Sequence, residues 1–201
     1  DGTGNEPGRK SKLTEPTSGT PLGTAGTTDQ SSLPHLQQRH YRVGETGTNV
    51  VSDENWMGEA LRQAQAAADH NEVPVGAVIV IDNEVIGAGY NCPVSSNDPT
   101  AHAEIQALRD ACNTVGNYRL PEATLYATLE PCLMCAGAIL QARLSRVVFG
   151  ARDEKAGAVG SIANLLQSPL VNHQCEVTAG VLGDESTRLL QEFFAARRVR
   201  G

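Results

Sequence analysis

Two β-branched runs, residues 73–81 and Glu84–Tyr90, face each other across Asp82-Asn83, a pair that tolerates the left-handed backbone of a two-residue hairpin turn. An antiparallel hairpin follows, and a lone hairpin needs further layers to bury its apolar face. The remaining pattern supplies them. Ahead of the hairpin, Trp56, Ala60, Leu61, Ala64, Ala67 and Ala68 recur at helical spacing behind Ser52 or Asp53, either of which can serve as N-cap. Behind it comes a loop at 91–101, after which Ile105, Leu108, Ala111, Cys112 and Val115 mark a second helix. The pattern continues with a strand at 123–129, a helix at 132–142, a strand at 146–149, a weaker strand near 176–178 and a closing helix at about 184–198. This alternation predicts an α/β chain: a three-layer α/β/α sandwich on one mixed sheet of about five strands, the first two antiparallel and the later ones joined by helical crossovers.

Residues 1–48 hold Gly, Pro, Ser and Thr in bulk without an apolar period. They cannot bury enough surface to offset their ordering entropy and are expected to form a disordered, low-complexity extension, with 49–201 as the folded domain. Acids and bases balance in the extension, so the domain carries the whole net charge of −7. Bulk positive charge is therefore excluded as a means of gripping nucleic acid, and any such binding must be local. No apolar stretch approaches the roughly 20 residues of a bilayer span. Five cysteines are too few and odd in number for a disulfide framework and favour a reducing compartment. The first residues carry neither a cationic patch nor an apolar h-region, so no intact signal peptide is expected there. A transit peptide would be poor in acids, although the Ser and Thr content keeps that reading open.

His102-Ala103-Glu104 opens one predicted helix, and Pro131-Cys132-Leu133-Met134-Cys135 opens the next. The 30 residues from His102 to Cys132 accommodate a helix and a strand. Both helix starts can then lie at one sheet edge, where open α/β folds place their ligands. Two soft thiolates with one imidazole suit zinc, and three protein ligands leave the fourth tetrahedral position to water. Zinc lowers the pKa of its water toward about 7. Glu104, provided it does not itself bind the metal, is placed to carry that water's proton. Singly, each piece has another reading: His-x-Glu arises by chance, and Cys-x-x-Cys serves redox pairs and structural zinc knuckles. Together, in this order and with proline before the first cysteine, they match the H-x-E…P-C-x-x-C signature of zinc deaminases.

On these residues the chain resembles the cytidine/deoxycytidylate deaminase superfamily and, within it, the tRNA-specific adenosine deaminases. The resemblance runs from about Trp56 to Arg198. It rests also on Glu72-Val73-Pro74-Val75-Gly76, Asp98-Pro99-Thr100-Ala101, Asn117-Tyr118-Arg119-Leu120 and Phe149-Gly150-Ala151-Arg152-Asp153. It implies hydrolytic deamination of the wobble adenosine of a tRNA anticodon to inosine. One zinc ion per subunit would be held by His102, Cys132 and Cys135, with Glu104 as proton shuttle. The resemblance further implies a cytoplasmic enzyme of bacterial type, an organellar one being the other reading. Its partners would be the anticodon stem-loop and a second subunit, in a homodimer whose neighbour helps shape the RNA site, with no membrane involved.

The same resemblance assigns substrate contacts to Asn91, Val73, Pro74, Val75, Asp153, Lys155, Phe194 and Arg198. From the residues alone, Asn91 also reads as an ordinary loop residue after a strand, and Val73 and Val75 as core. Asp153 and Lys155 read as a solvated loop, and Phe193 and Phe194 as the buried face of an amphipathic helix. Arg152, Lys155, Arg197, Arg198 and Arg200 are the cations best able to meet a phosphate backbone. Glu130 is expected to be structural. Cys92, Cys112 and Cys175 fall outside the signature, Cys112 reading as a small buried hydrophobe. Two other activities fit the same zinc signature: a deaminase of free nucleobases, nucleosides or nucleotides, and a non-catalytic zinc-containing RNA-binding subunit. A carboxylate at position 104 argues against the second.

Overall fold

The computed structural model describes residues 51–198. The expected extension at 1–48 lies outside the described residues, as do 49, 50 and 199–201. In chain order the elements are α1 (Asp53–Asp69), β1 (Gly76–Ile81), β2 (Glu84–Tyr90), α2 (Pro93–Ser96), α3 (Ala103–Val115), β3 (Thr124–Leu129), α4 (Leu133–Ala142), β4 (Arg146–Ala151), β5 (Glu176–Ala179) and α5 (Gly183–Arg198). The strands form one sheet in the order β2-β1-β3-β4-β5. β1 runs antiparallel to β2 and β3, while β3, β4 and β5 are mutually parallel. This is the expected mixed five-stranded sheet.

Alternation along the strands separates the two faces. Ala77, Ile79, Leu125, Ala127, Val147 and Phe149 pack with Ala107, Leu108 and Ala111 of α3 and Ala136 and Ile139 of α4. The intervening Val78, Val80, Tyr126 and Val148 meet Trp56, Met57 and Ala60 of α1. The hairpin closes as its sequence requires: Asp82 and Asn83 have φ of 50° and 60°, and Ile81 pairs with Glu84. On β2, a Cβ at Gly87 or Gly89 would come within 2.5 Å of the Ala107 or Ala103 carbonyl oxygen. Glycine at these two positions lets α3 settle directly onto the strand and so fixes where α3 begins.

Four expectations need correction. The run 73–81 becomes strand only at Gly76, because Val75 N–H turns back onto the Val73 carbonyl at 2.8 Å. The loop at 91–101 contains the short helix α2, and the helix placed at 132–142 starts at Leu133 with Cys132 as its N-cap. The crossover from β4 to β5 is not helical. Residues 152–175 form an irregular connection with bridges Cys132↔Gly157 and Val159↔Asn164. Its backbone groups are satisfied by turns within the connection and by bonds to Glu130 and the Pro131 carbonyl instead of a helical ladder. Among the described residues no helix is long and apolar enough to cross a membrane.

The first turn of α1 is tied across the sheet. Arg146 donates from Nη1 and Nη2 to the two carboxylate oxygens of Asp53 at 2.8 and 2.7 Å, and the Tyr126 hydroxyl donates to Asp53 at 2.9 Å. The Arg146 hydrogen bonds hold the Asp53 carboxyl below its ordinary value of 3.8. A depressed acid stabilises the fold above its unfolded pKa and loses that contribution as pH falls through the folded value. Asp53→Asn is therefore expected to cost about 1–2 kcal/mol at neutral pH. The gap to the parent chain should close as pH is lowered past 3.8 in urea-melt measurements. A gap independent of pH would contradict this assignment.

Candidate active site

The start of β1 and the ends of β2, β3 and β4 lie at one edge of the sheet, because β1 runs opposite to its neighbour β3 and the other strands follow. Chain leaving or entering at that edge carries residues 73–75, Asn91, His102, Glu104, Cys132, Cys135, Asp153 and Lys155. His102 and Cys132 occupy equivalent places, the N-caps of α3 and α4. Both are in extended backbone, with φ/ψ of −75°/153° and −74°/175°. Cys135 follows in the first turn of α4 and is fully buried.

Upstream of His102, Asp98 Oδ1 accepts from Thr100 N at 2.8 Å and Thr100 Oγ1 at 2.7 Å, and Cys92 N–H donates to the Ala101 carbonyl at 3.0 Å. These bonds close the 92–101 loop and present the imidazole at its exit.

The His102 Nδ1 atom lies 3.7 Å from Cys132 Sγ and 3.6 Å from Cys135 Sγ, and the two sulfurs are 3.6 Å apart. A tetrahedral ion with bonds of about 2.3 Å to sulfur and about 2.0–2.1 Å to nitrogen needs edges of about 3.8 Å (S to S) and about 3.6 Å (S to N). The three donors thus already stand at the corners of a zinc-sized tetrahedron, and among the described residues they form a group able to hold a metal ion. The cluster is also charged for that purpose. The Cys132 thiol is pulled down to about 3, chiefly by its hydrogen bond with Cys135, with His102 adding to the effect. The Cys135 thiol is pushed up by the same bond and by burial.

Glu104, in the first turn of α3, is 4% exposed. Burial pushes its carboxyl up to about 7, with the Cys132 thiolate adding in the same direction. A carboxyl in that range can both take and give a proton near neutrality. Asn91, 8% exposed, follows the last residue of β2, and its side-chain amide makes no hydrogen bond to another described residue. An amide at the ligand edge can donate to and accept from a polar substrate. Pro74 and Val75 are buried, Val75 within the core, and Val73 packs partly against it.

The remaining sequence-derived contacts gather elsewhere. Lys155, Phe194 and Arg198 line an open groove of about 410 Å³ together with Arg152, Leu190 and Gln191. Phe194 is 45% exposed, which corrects its reading as a buried face. Asp153 faces its own loop, its Oδ1 accepting from Lys155 N at 3.0 Å and Ala156 N at 3.1 Å. Arg197 belongs to packing rather than to the groove. It lies 3.6 Å over the Phe193 ring and donates to the Asn71 carbonyl. Arg200 lies outside the described residues. Cys112 is only partly buried against the core.

Sequence reasoning gave no role to Glu72, whose 2%-exposed carboxylate accepts from Ser95 N at 2.6 Å and Val94 N at 3.4 Å and so pins α2. Its partners lie 22 and 23 residues away, where no local pattern reaches.

The family profile described as MafB19-like deaminase matches residues 51–198. A tRNA-specific adenosine deaminase of Haemophilus influenzae is 51% identical over 147 residues, covering 73% of this chain and 85% of that protein. A solved structure from work on A-to-I editing by tRNA:A34 deaminases superposes with a TM-score of 0.66 at 46% identity, covering 68% of this chain and 99% of that one. A guanine deaminase from Nitrosomonas europaea gives a TM-score of 0.63 at 27% identity, covering 72% and 85%. Both solved structures superpose on this chain to a similar extent, but identity separates them, being far higher to the tRNA-acting proteins than to the guanine deaminase. This chain is a deaminase and belongs to the family of tRNA-specific adenosine deaminases.

Proposed function

We propose that the chain hydrolyses the wobble adenosine A34 of a tRNA anticodon loop to inosine, using a single zinc ion held by His102, Cys132 and Cys135. The observation that carries this reading is the buried Glu104 carboxyl beside a three-donor cluster with tetrahedral spacing, within a fold shared with tRNA:A34 deaminases. When bound there, zinc lowers the pKa of a coordinated water toward about 7 and supplies the hydrolytic nucleophile at neutral pH. Glu104 would take one proton from that water and pass it to the purine ring nitrogen, then take the second from the new C6 hydroxyl and pass it to the departing amino group as the C6 carbonyl forms. Water is consumed and ammonia released, with no redox partner. Asn91 hydrogen-bonds the flipped nucleotide, and Val73, Pro74 and Val75 wall the base pocket. Burial of Glu104 and Asn91 keeps bulk water from competing at the reacting carbon.

Arg152, Lys155 and Arg198 around exposed Phe194 form a confined basic groove on an acidic domain, suited to phosphates and a stacked base. Asp153 shapes that loop. A second copy of the chain completes the RNA site in a homodimer. The cytoplasm is the compartment we assign, in keeping with five free cysteines.

Purified protein is expected to form inosine in an anticodon stem-loop and to leave free guanine, cytidine and adenosine unchanged. Turnover of the free compounds with no inosine in RNA would refute the substrate assignment. Replacing Lys155 and Arg198 with glutamine is expected to weaken stem-loop binding and to reduce the slope of log affinity against log salt by about 0.7–0.9 per lost phosphate contact. An unchanged slope would remove these residues from the interface.

A further inference from the structure

Glu130 is 2% exposed, and its carboxylate forms no ion pair with a described residue. An unpaired buried charge is costly unless hydrogen bonds satisfy it. Here one loop supplies them all. Oε1 accepts from Val159 N at 3.0 Å and Ser161 N at 2.9 Å, and Oε2 accepts from Asp153 N at 3.2 Å and from the Ser161 hydroxyl. The roughly four lone-pair sites of a carboxylate are thereby filled by residues 153–161.

The backbone on either side of Glu130 is stitched to the same loop. Glu130 N–H donates to the Ala151 carbonyl at 2.9 Å, Ala158 N–H donates to the Pro131 carbonyl at 2.8 Å, and Cys132 bridges Gly157. Gly157 has no room for a side chain, since a Cβ there would lie 2.5 Å from Glu130 Oε2. One end of this loop contributes Arg152 and Lys155 to the basic groove. Its middle lies against the segment that carries a metal ligand. The loop has no helix of its own to hold its shape, so the carboxylate takes that place.

We propose that Glu130 is a positioning residue that fixes loop 152–161 against the Cys132 turn, setting at once the metal site and the distance from it to the basic groove. The proposal rests on the deaminase reading above. Glu130→Gln keeps the volume but turns an NH2 group toward a backbone or hydroxyl donor. Ser161→Ala removes one hydroxyl bond and leaves the carboxylate in place.

The experiment uses the zinc-loaded full chain and both variants. It measures zinc transfer to a chelator, amide hydrogen exchange at Val159 and Ser161 or its replacement, and kcat and KM on an anticodon stem-loop. Glu130→Gln is expected to hold zinc about 10–100-fold less tightly. Faster exchange at those amides and a KM that rises by a larger factor than kcat falls are expected with it. Ser161→Ala should move each reading in the same direction by less.

A Glu130→Gln protein that melts earlier yet keeps parental zinc retention and KM below its transition would overturn the proposal, since a merely structural acid predicts that. Should Glu130→Gln fail to fold, Ser161→Ala decides: faster zinc loss supports the proposal, and parental zinc loss overturns it. Zinc transfer needs no RNA. A parent chain inactive on the stem-loop would therefore refute the substrate reading while the zinc measurement still judged Glu130.

Discussion

Glu104→Gln is expected to lower the rate of inosine formation by about 10²–10⁴-fold, the range that a positioned proton carrier contributes. Zinc content should stay at one per chain. Glutamine matches the shape of the neutral acid, and burial already favours the neutral form by pushing the carboxyl up to about 7. The variant should therefore fold as well as the parent, so that loss of rate reads as loss of proton transfer. Near-parental activity in this variant would show that another group moves the proton, or that the reaction occurs elsewhere.

Cys135→Ala is expected to fail differently. This fully buried thiol is one corner of the three-donor cluster. Its removal leaves two ligands for an ion that needs three from the protein, and without the metal the pKa of water is not lowered toward about 7. Activity should fall below that of Glu104→Gln, zinc content should drop well under one per chain, and the melting temperature should fall. An ion present at a thousand times its dissociation constant stabilises the native state by about 4 kcal/mol, and that increment disappears with the site. The two variants together separate chemistry from assembly: one keeps its metal and loses rate, the other loses both. Equal zinc contents in the two would contradict the ligand assignment.

Much of this was legible in the sequence where the signal is local. Asp82-Asn83 announced the hairpin because its backbone must adopt positive φ, and the structure has it in both residues. The helical spacing of Trp56, Ala60, Ala64 and Ala67 reports one buried stripe, and those residues are buried. His102 and Cys132 could be placed at helix starts because the apolar period begins just after each. What the spacing left open was that both are N-caps, so that extended backbone presents their side chains beyond the helix ends toward one point.

The illegible part is long-range. Nothing near Glu130 in sequence reveals partners 23 to 31 residues downstream, and nothing near Glu72 reveals α2. The connection at 152–175 has no period because irregular turns and bonds to Glu130 and Pro131, not a repeating ladder, hold it. For the same reason Arg197, indistinguishable in sequence from its neighbour Arg198, lies over Phe193 while Arg198 lines the groove.

The central claim is that one metal ion, seated by His102, Cys132 and Cys135 beside Glu104, makes this chain a deaminase of the wobble base. Stepwise return of zinc to metal-stripped full-length protein, with inosine in an anticodon stem-loop scored at each step, tests it most directly. Activity is expected to be absent at the start, to rise in proportion to added zinc, and to level off at one ion per chain. Full activity in metal-stripped protein, or zinc binding at one equivalent with no inosine at any step, would contradict the account.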